Sequence, residues 1–320
     1  MDAASARSTS GWQAHLRLRF NGDIGSVGTD LSLSPPVYLA NGDRPAIGRT
    51  RLIEREHRGP LVVQRPFHPE GDPCHVYLVH PPGGVVGGDE LRVDVQVDAG
   101  AHALITTPAA TKFYRCDARV SSQVQELRAP GATLEWLPQE NIFYRGAEVR
   151  TATRVFIDEQ ARFIGWEIAC LGLPARGEAF DTGTLALDLE LWRATARSVP
   201  VCQETGNVPI SSPIFIDRLR LAGGSRARGA RWGLAGQEAI GTLLATPAKR
   251  ESVQAIRELL ADRGRADRPL AAVSLVDGVL VLRALAPQAE DVRKLFIAAW
   301  RVLRPAVVGR DAVPPRIWAT

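Results

Sequence analysis

The sequence predicts a mainly β protein in which two α-helices are confined to the last third. From Gln13 to about Ile216, short runs of alternating or β-branched character are broken about every eight to twelve residues by Gly, Pro, Asn or Asp, as in a chain of many short strands. No helical period appears across that stretch. Two helices of roughly fifteen residues each leave the helix share far below the usual third.

The strands follow from alternation. His15-Leu16-Arg17-Leu18-Arg19-Phe20 places its apolar residues on one face of an extended chain, and Leu91-Arg92-Val93-Asp94-Val95-Gln96-Val97 does the same. After the Ala99-Gly100 turn, residues 101–106 continue as another strand. Further strands are expected at 120–127, 133–137, 150–157, 163–170 and 185–192, with no internal repeat of fixed period. The polar, glycine-rich stretch 222–229 reads as a surface excursion, because Gly241-Thr242-Leu243-Leu244 behind it is strand-like and needs partners upstream.

Beyond that point the character changes. Thr246-Pro247 offers an N-cap with proline at the first helical position; Val253, Ile256, Leu259 and Leu260 then share one face until Gly264. Asp277-Gly278 between two β-branched runs is a two-residue hairpin signal. Val292, Leu295, Phe296, Ala299, Val302 and Leu303 predict a second helix from Pro287 to a stop at Arg304-Pro305. The expected organisation is one domain over 1–320: a β-rich body over about 11–245, a helix-hairpin-helix segment over about 246–305 and a tail over 306–320.

Composition narrows the function. With 45% hydrophobic and 23% charged residues the chain has enough apolar surface for a large core. No run of about 18 apolar residues predicts a membrane-spanning helix, and the first fifteen residues lack the pattern of a signal peptide. The four cysteines show no paired spacing, so a reduced, cytoplasmic setting is expected. A pI of 9.1 alone does not predict nucleic-acid binding. There are three lysines, and the arginines are spread among 35 acids without a basic tract beyond Arg226 to Arg231.

Motifs for chemistry are sparse. Gly83-Gly84-Val85-Val86-Gly87-Gly88-Asp89 lacks the Gly-Lys-Ser/Thr of a phosphate loop and leads into a strand, so it reads as a tight turn. Cys74 and His80 share one face of an extended run while His75 points the other way, and six residues at about 3.3 Å separate the first two by roughly 20 Å, too far to chelate one ion. Cys116, Cys170 and Cys202 form no C-x-x-C pair, and neither a G-x-S-x-G elbow nor an H-E-x-x-H helix is present. Acids recur beside aromatic or glycine-rich turns: Asp89, Glu135, Glu140, Glu167, Glu178 and Asp217. A glycoside hydrolase would need two of them about 5 to 10 Å apart in an open aromatic groove, and the aromatic share is only 6%.

Taken in order, the motifs resemble the urease accessory protein UreD (UreH) family almost from end to end. They include Gly11-Trp12-Gln13-Ala14, Gly59-Pro60-Leu61, Val63-Gln64-Arg65-Pro66-Phe67, Cys74-His75 and His80-Pro81-Pro82-Gly83-Gly84 with Gly87-Gly88-Asp89. They continue with Thr111-Lys112-Phe113-Tyr114-Arg115, Leu134-Glu135-Trp136-Leu137-Pro138-Gln139-Glu140, Gly165-Trp166-Glu167, Cys170-Leu171-Gly172, Gly177-Glu178, Gly241-Thr242-Leu243-Leu244 and Pro315-Arg316-Ile317-Trp318. Leu173 departs from the arginine common in the family, and the Arg226 to Arg231 loop is not a family hallmark.

The resemblance implies a flattened β-helix-like body with two helices and a non-enzymatic, cytoplasmic assembly factor. Such a protein binds UreF and through it the GTPase UreG, docks on apo-urease, and helps nickel reach the active site; it is expected to be poorly soluble alone and to dimerise only through the other accessory proteins. No cofactor is held tightly, and nickel is cargo in transit. Because nickel stands high in the affinity order, a cage of thiolates and imidazoles would trap it, whereas carboxylates along a wet passage attract it without keeping it. The acids that match the family's motif positions for such a path are Asp89, Glu167 and Asp217, with Glu140 and Glu178 as further motif acids.

Overall fold

The computed structural model describes residues 11–22, 48–116, 119–199, 208–262 and 269–319; Cys202 and Gly264 lie outside them. The fold is mainly β, as the alternation predicts. The chain opens with β1 (Gln13–Gly22), β2 (Thr50–Arg58), β3 (Val62–Val63) and β4 (Cys74–Val79). It then winds in coils: β5 (Glu90–Val97), β6 (His102–Thr106) and β7 (Thr111–Phe113); β8 (Ser121–Arg128), β9 (Thr133–Leu137) and β10 (Asn141–Phe143); and β11 (Glu148–Ile157) with β12 (Arg162–Leu171). The last strands of the body are β13 (Thr184–Val199), β14 (Val208–Ala222) and β15 (Ala239–Thr246).

Successive coils stack in parallel. One sheet of seven strands has the order β14-β13-β11-β8-β5-β1-β2, with β1, β5, β8, β11 and β13 parallel and antiparallel strands at both edges. The other, ten-stranded, sheet contains the parallel run β4, β6, β9, β12. The short β7 and β10 pair in parallel, and β10 continues onto the end of β12, closing the third side. Cys74 lies beside Ala103, His102 beside Thr133 and Thr133 beside Arg162, so the coils take 29, 31 and 29 residues. The repeat that the sequence does not display is therefore real but of uneven length. The turns stack as well: Gly100 N–H donates to the Gly131 carbonyl at 2.8 Å, and Gly131 N–H to Asp158 at 2.8 Å.

Inward residues fill the space between the sheets. Leu16, Leu18 and Phe20 of β1, and Leu91, Val93, Val95 and Val97 of β5, meet Val76, Leu134, Trp136 and Phe163 from the opposite sheet in one core. While its edge strand nearest the C-terminus is largely exposed, the ten-stranded sheet is buried on both faces at its central strands, every residue of β6 and β9 included. Its outer face is covered by the C-terminal helix, which matches the two-sided burial usual for parallel strands.

The last third holds α1 (Arg250–Asp262), a hairpin of β16 (Leu270–Val276) and β17 (Val279–Ala286), and α2 (Ala289–Val307). The hairpin extends the ten-stranded sheet beyond β15, which pairs with β12 as its strand-like text requires. Asp277 and Gly278 take φ of 48° and 74°, as a two-residue turn demands. α2 lays Val292, Leu295, Phe296, Ala299, Trp300 and Leu303 on Ile164, Trp166, Leu243 and Leu282.

Two helix boundaries differ from expectation. Thr246 is not an N-cap: it ends β15 opposite Phe163, is buried, and donates its hydroxyl to the Gly278 carbonyl at 3.1 Å, so α1 starts at Arg250. Pro305 does not stop α2, which runs on to Val307. Proline removes only one backbone bond near a helix end, and burial of Leu303, Arg304 and Val307 outweighs that loss.

Arg304 is the centre of a buried charge cluster. Its guanidinium reaches Glu135 at 3.0 Å and Glu70 at 2.6 Å, while Trp300 Nε1 donates to Glu135 at 2.6 Å. His102 and His75 each lie 2.7 Å from one of those carboxylates.

Candidate functional site

The core between the sheets is not filled throughout. A cavity of about 280 Å³ runs from a mouth at His80, Gly83 and Lys112 inward past Leu91, Gln123, Gln125 and Trp136 to Glu167. A narrower cavity of about 70 Å³ shares Asn141, Glu167 and Ile168 with it and continues past Thr151 and Leu189 to Asp217 and Thr242. At the surface, an open depression among Leu270, Arg283 and Leu285 shares Asp217, Leu219, Ile240, Gly241 and Thr242 with the second cavity. Glu167 thus stands on the wall common to the two cavities, and Asp217 where the second meets that depression.

Strand periodicity explains why polar groups occur here. The inward positions of β8 are Ser121, Gln123, Gln125 and Leu127, and those of β11 include Thr151, Thr153 and Val155. Register sets Thr151 beside Gln123 and Thr153 beside Gln125, while Glu167 of β12 lies beside Thr242 of β15. The result is a polar stripe crossing an otherwise apolar core. Trp136 Nε1 and Thr151 Oγ1 are buried without a protein hydrogen-bond partner among the described residues, and both line these cavities. Polar walls and volumes larger than one water molecule suit a wet interior.

Glu167 is enclosed by protein yet keeps part of its surface open to the cavities. Burial pushes its carboxyl up to about 7, opposed only by a hydrogen bond from the Thr153 hydroxyl. That hydroxyl also lies 2.6 Å from Gln125 Oε1. Asp217 is more open and is bound by Arg283 at 3.0 Å and by the Thr242 hydroxyl at 3.2 Å. Burial raises the first acid's carboxyl with no cation beside it among the described residues, while the second is held by a guanidinium.

The remaining predicted acids sit elsewhere. Asp89 accepts the amides of Trp12 and Val86, each at 2.9 Å, and so closes the glycine-rich turn. Glu140 follows β9 with its Oε2 buried and without a hydrogen-bond partner among the described residues; burial first, and then its charge, pushes the Cys170 thiol up to about 12. Glu178 is exposed in the turn after β12, where its backbone bridges Leu173. None of the three lines the cavities above.

Cys74, His75 and His80 sit in three different surroundings, and His80 lies just past the end of β4. Cys74 faces the core, where burial pushes its thiol up to about 12; His75 faces Glu70; and His80, its pKa lowered by burial, stands at the first cavity's mouth. Among the described residues no group of three or more His, Cys, Asp or Glu side chains is placed to hold a metal ion, so this interior offers isolated carboxylates, amides and hydroxyls. Gln123, Gln125, Thr151 and Thr153 escaped the sequence reading. Their signal was present: each is a polar residue in phase with the buried apolar positions of an alternating strand.

Comparison with known proteins agrees with the motif order. A family model described as UreD urease accessory protein matches residues 40–319. The chain is 45% identical over 273 residues to the urease accessory protein UreD of Alkalilimnicola ehrlichii, covering 85% of this chain and 87% of that one. It is 40% identical over 312 residues to UreD of Pseudomonas putida strain F1, covering 97% and 95%, and 37% identical over 311 residues to UreD of Klebsiella aerogenes, covering 97% of each. With a matching family model over most of its length and relatives aligned nearly end to end, the chain belongs to the UreD urease accessory protein family.

Proposed function

We propose that the chain is a non-enzymatic scaffold of urease maturation in the cytoplasm. In this reading it binds UreF, recruits UreG through it, docks on apo-urease, and passes nickel through its interior. The observation that carries the reading is the pair of adjoining cavities that share Glu167, the second of which meets an open surface depression at Asp217. A divalent ion leaving water loses hydration energy, and carboxylates, amides and hydroxyls along its path offset part of that loss. Single carboxylates spaced along the path attract the ion without trapping it, which is what a delivery protein needs. Hydrolysis by a carboxylate pair is disfavoured by the same geometry, since Glu167 is enclosed and Asp217 is engaged by Arg283.

The test is the double variant Glu167→Ala, Asp217→Ala, co-expressed with apo-urease subunits, UreF and UreG. The accessory complex is expected to co-elute as before while the nickel content of urease falls. Full activation with this variant would remove the passage from the proposal.

A further inference from the structure

The edges of the two sheets are guarded unequally. An edge strand leaves a row of backbone donors and acceptors unpaired, which invites another strand unless charge, proline or shortness prevents it. β2 carries Arg51, Glu54, Arg55, Glu56 and Arg58; β14 carries Pro209 and Pro213; β3 has two residues. β16, at the remaining edge, has none of these protections. Leu270-Ala271-Ala272-Val273-Ser274-Leu275-Val276 holds no charge and no proline, keeps an unbroken register with β17 and is largely exposed.

The hairpin turn fixes which backbone groups are free. A two-residue turn at Asp277-Gly278 makes Val276 and Val279 a hydrogen-bonded pair. The alternation of an antiparallel ladder then directs Ser274, Ala272 and Leu270 toward β17, and the N–H and C=O of Ala271, Val273 and Leu275 away from it. Among the described residues no other strand pairs with that edge. α1 packs on the face that holds Ala271 and Val273, whereas Leu270, Ala272 and Ser274 lie exposed on the opposite face. Leu270 and Ala272 border the depression that the second cavity meets at Asp217.

The free backbone decides the form of the occupant. An extended chain complements a row of alternate donors and acceptors; a helix does not, because its own groups are bonded within it. A strand about 4.8 Å from β16 sets its side chains beside uncharged rungs, where burying a charge is unfavourable. Position decides whose strand it is. In the scaffold reading the ion crosses between this chain and another protein at Asp217, and a second copy would bring an identical opening rather than a source or recipient. We propose that β16 is the docking edge for an uncharged, extended segment of the protein partner that exchanges the ion at Asp217, added as the next strand of the ten-stranded sheet. The inference rests on the scaffold reading, and it adds where that partner sits and which atoms hold it.

Immobilised full-length chain would be tested, without nickel, for capture of purified UreF, UreG and apo-urease. Leu275→Pro deletes one outward N–H and no bond to β17; Ser274→Lys places a charge on the exposed face of the edge; Ser274→Thr is the neutral control. One hydrogen bond between chains is worth about ten-fold in affinity. Leu275→Pro and Ser274→Lys are each expected to weaken capture of one partner by that factor or more with an unchanged melting temperature, while Ser274→Thr captures as the parent does. The same partner is expected to slow hydrogen exchange at the amides of Ala271, Val273 and Leu275 and to leave Ala272 and Ser274, already bonded to β17, unchanged. Capture of every partner at parental strength by Ser274→Lys, or even slowing along the strand, overturns the docking edge while leaving the scaffold intact. Failure of the unsubstituted chain to capture any of the three overturns the scaffold reading, and the edge with it. Alternate slowing in the chain alone as its concentration rises gives the edge to a second copy and overturns the assignment to a partner.

Discussion

Two buried glutamates show how surroundings decide the state of one side chain. Burial alone would push the Glu135 carboxyl up, but His102 and Arg304 hold it at about 2, whereas Glu167, with only the Thr153 hydroxyl, rises to about 7. Glu135 therefore stabilises the fold as a carboxylate: its contribution is complete above the ordinary value near 4.5 and is lost as pH falls toward 2. Glu135→Gln leaves the buried Arg304 short of a counter-charge and is expected to cost about 3 to 5 kcal/mol at pH 7, read as a lower urea midpoint. Between pH 5 and 3 the unsubstituted chain should lose stability more steeply than the variant. Parallel slopes would remove Glu135 as the acid-sensitive group. Glu135 is visible in the sequence as an acid beside Trp136, but its partner Arg304 lies 169 residues away, a pairing that local pattern cannot reveal.

At the scale of elements, legibility followed locality. The Asp277-Gly278 hairpin was readable because both turn residues must take positive φ, and the amphipathic face of α2 because its period is internal to the helix. β7 and β10, with three residues each, carry no period, and their pairing exists only because the coils stack. The helix boundaries misread at Thr246 and Pro305 fell where tertiary burial overrode a local signal. Gly241 shows how tightly elements meet: a β-carbon there would lie 2.5 Å from Val292 Cγ1 and 2.7 Å from the Phe296 ring. Gly241→Ala must push α2 off the sheet, at an expected cost of about 1 to 3 kcal/mol. A urea midpoint within error of the parent, with unchanged near-ultraviolet dichroism from Trp166 and Trp300, would show that the interface yields freely.

For the whole molecule, stacked coils create an interior that no single strand defines. The acids on the cavity walls were legible as motif residues, but the Gln and Thr stripe joining them was not, because only the register between coils sets Gln123 beside Thr151 and Gln125 beside Thr153. The smaller interior cavity reaches from Glu167 to Asp217 and is lined by Thr151, whose hydroxyl has no protein partner among the described residues. Thr151→Ile adds bulk in that cavity and deletes a buried unpartnered hydroxyl. Stability should stay within about 1 kcal/mol of the parent, since no protein hydrogen bond of Thr151 is lost. Nickel incorporation into co-expressed urease should fall at least as far as with the Glu167→Ala, Asp217→Ala double variant. Level stability with lowered nickel incorporation separates a blocked passage from a damaged fold, because a destabilised scaffold would lower both readings together. Full urease activation by a stable Thr151→Ile chain would mean that the ion does not travel between Glu167 and Asp217, and the cavities would then be packing defects rather than a path.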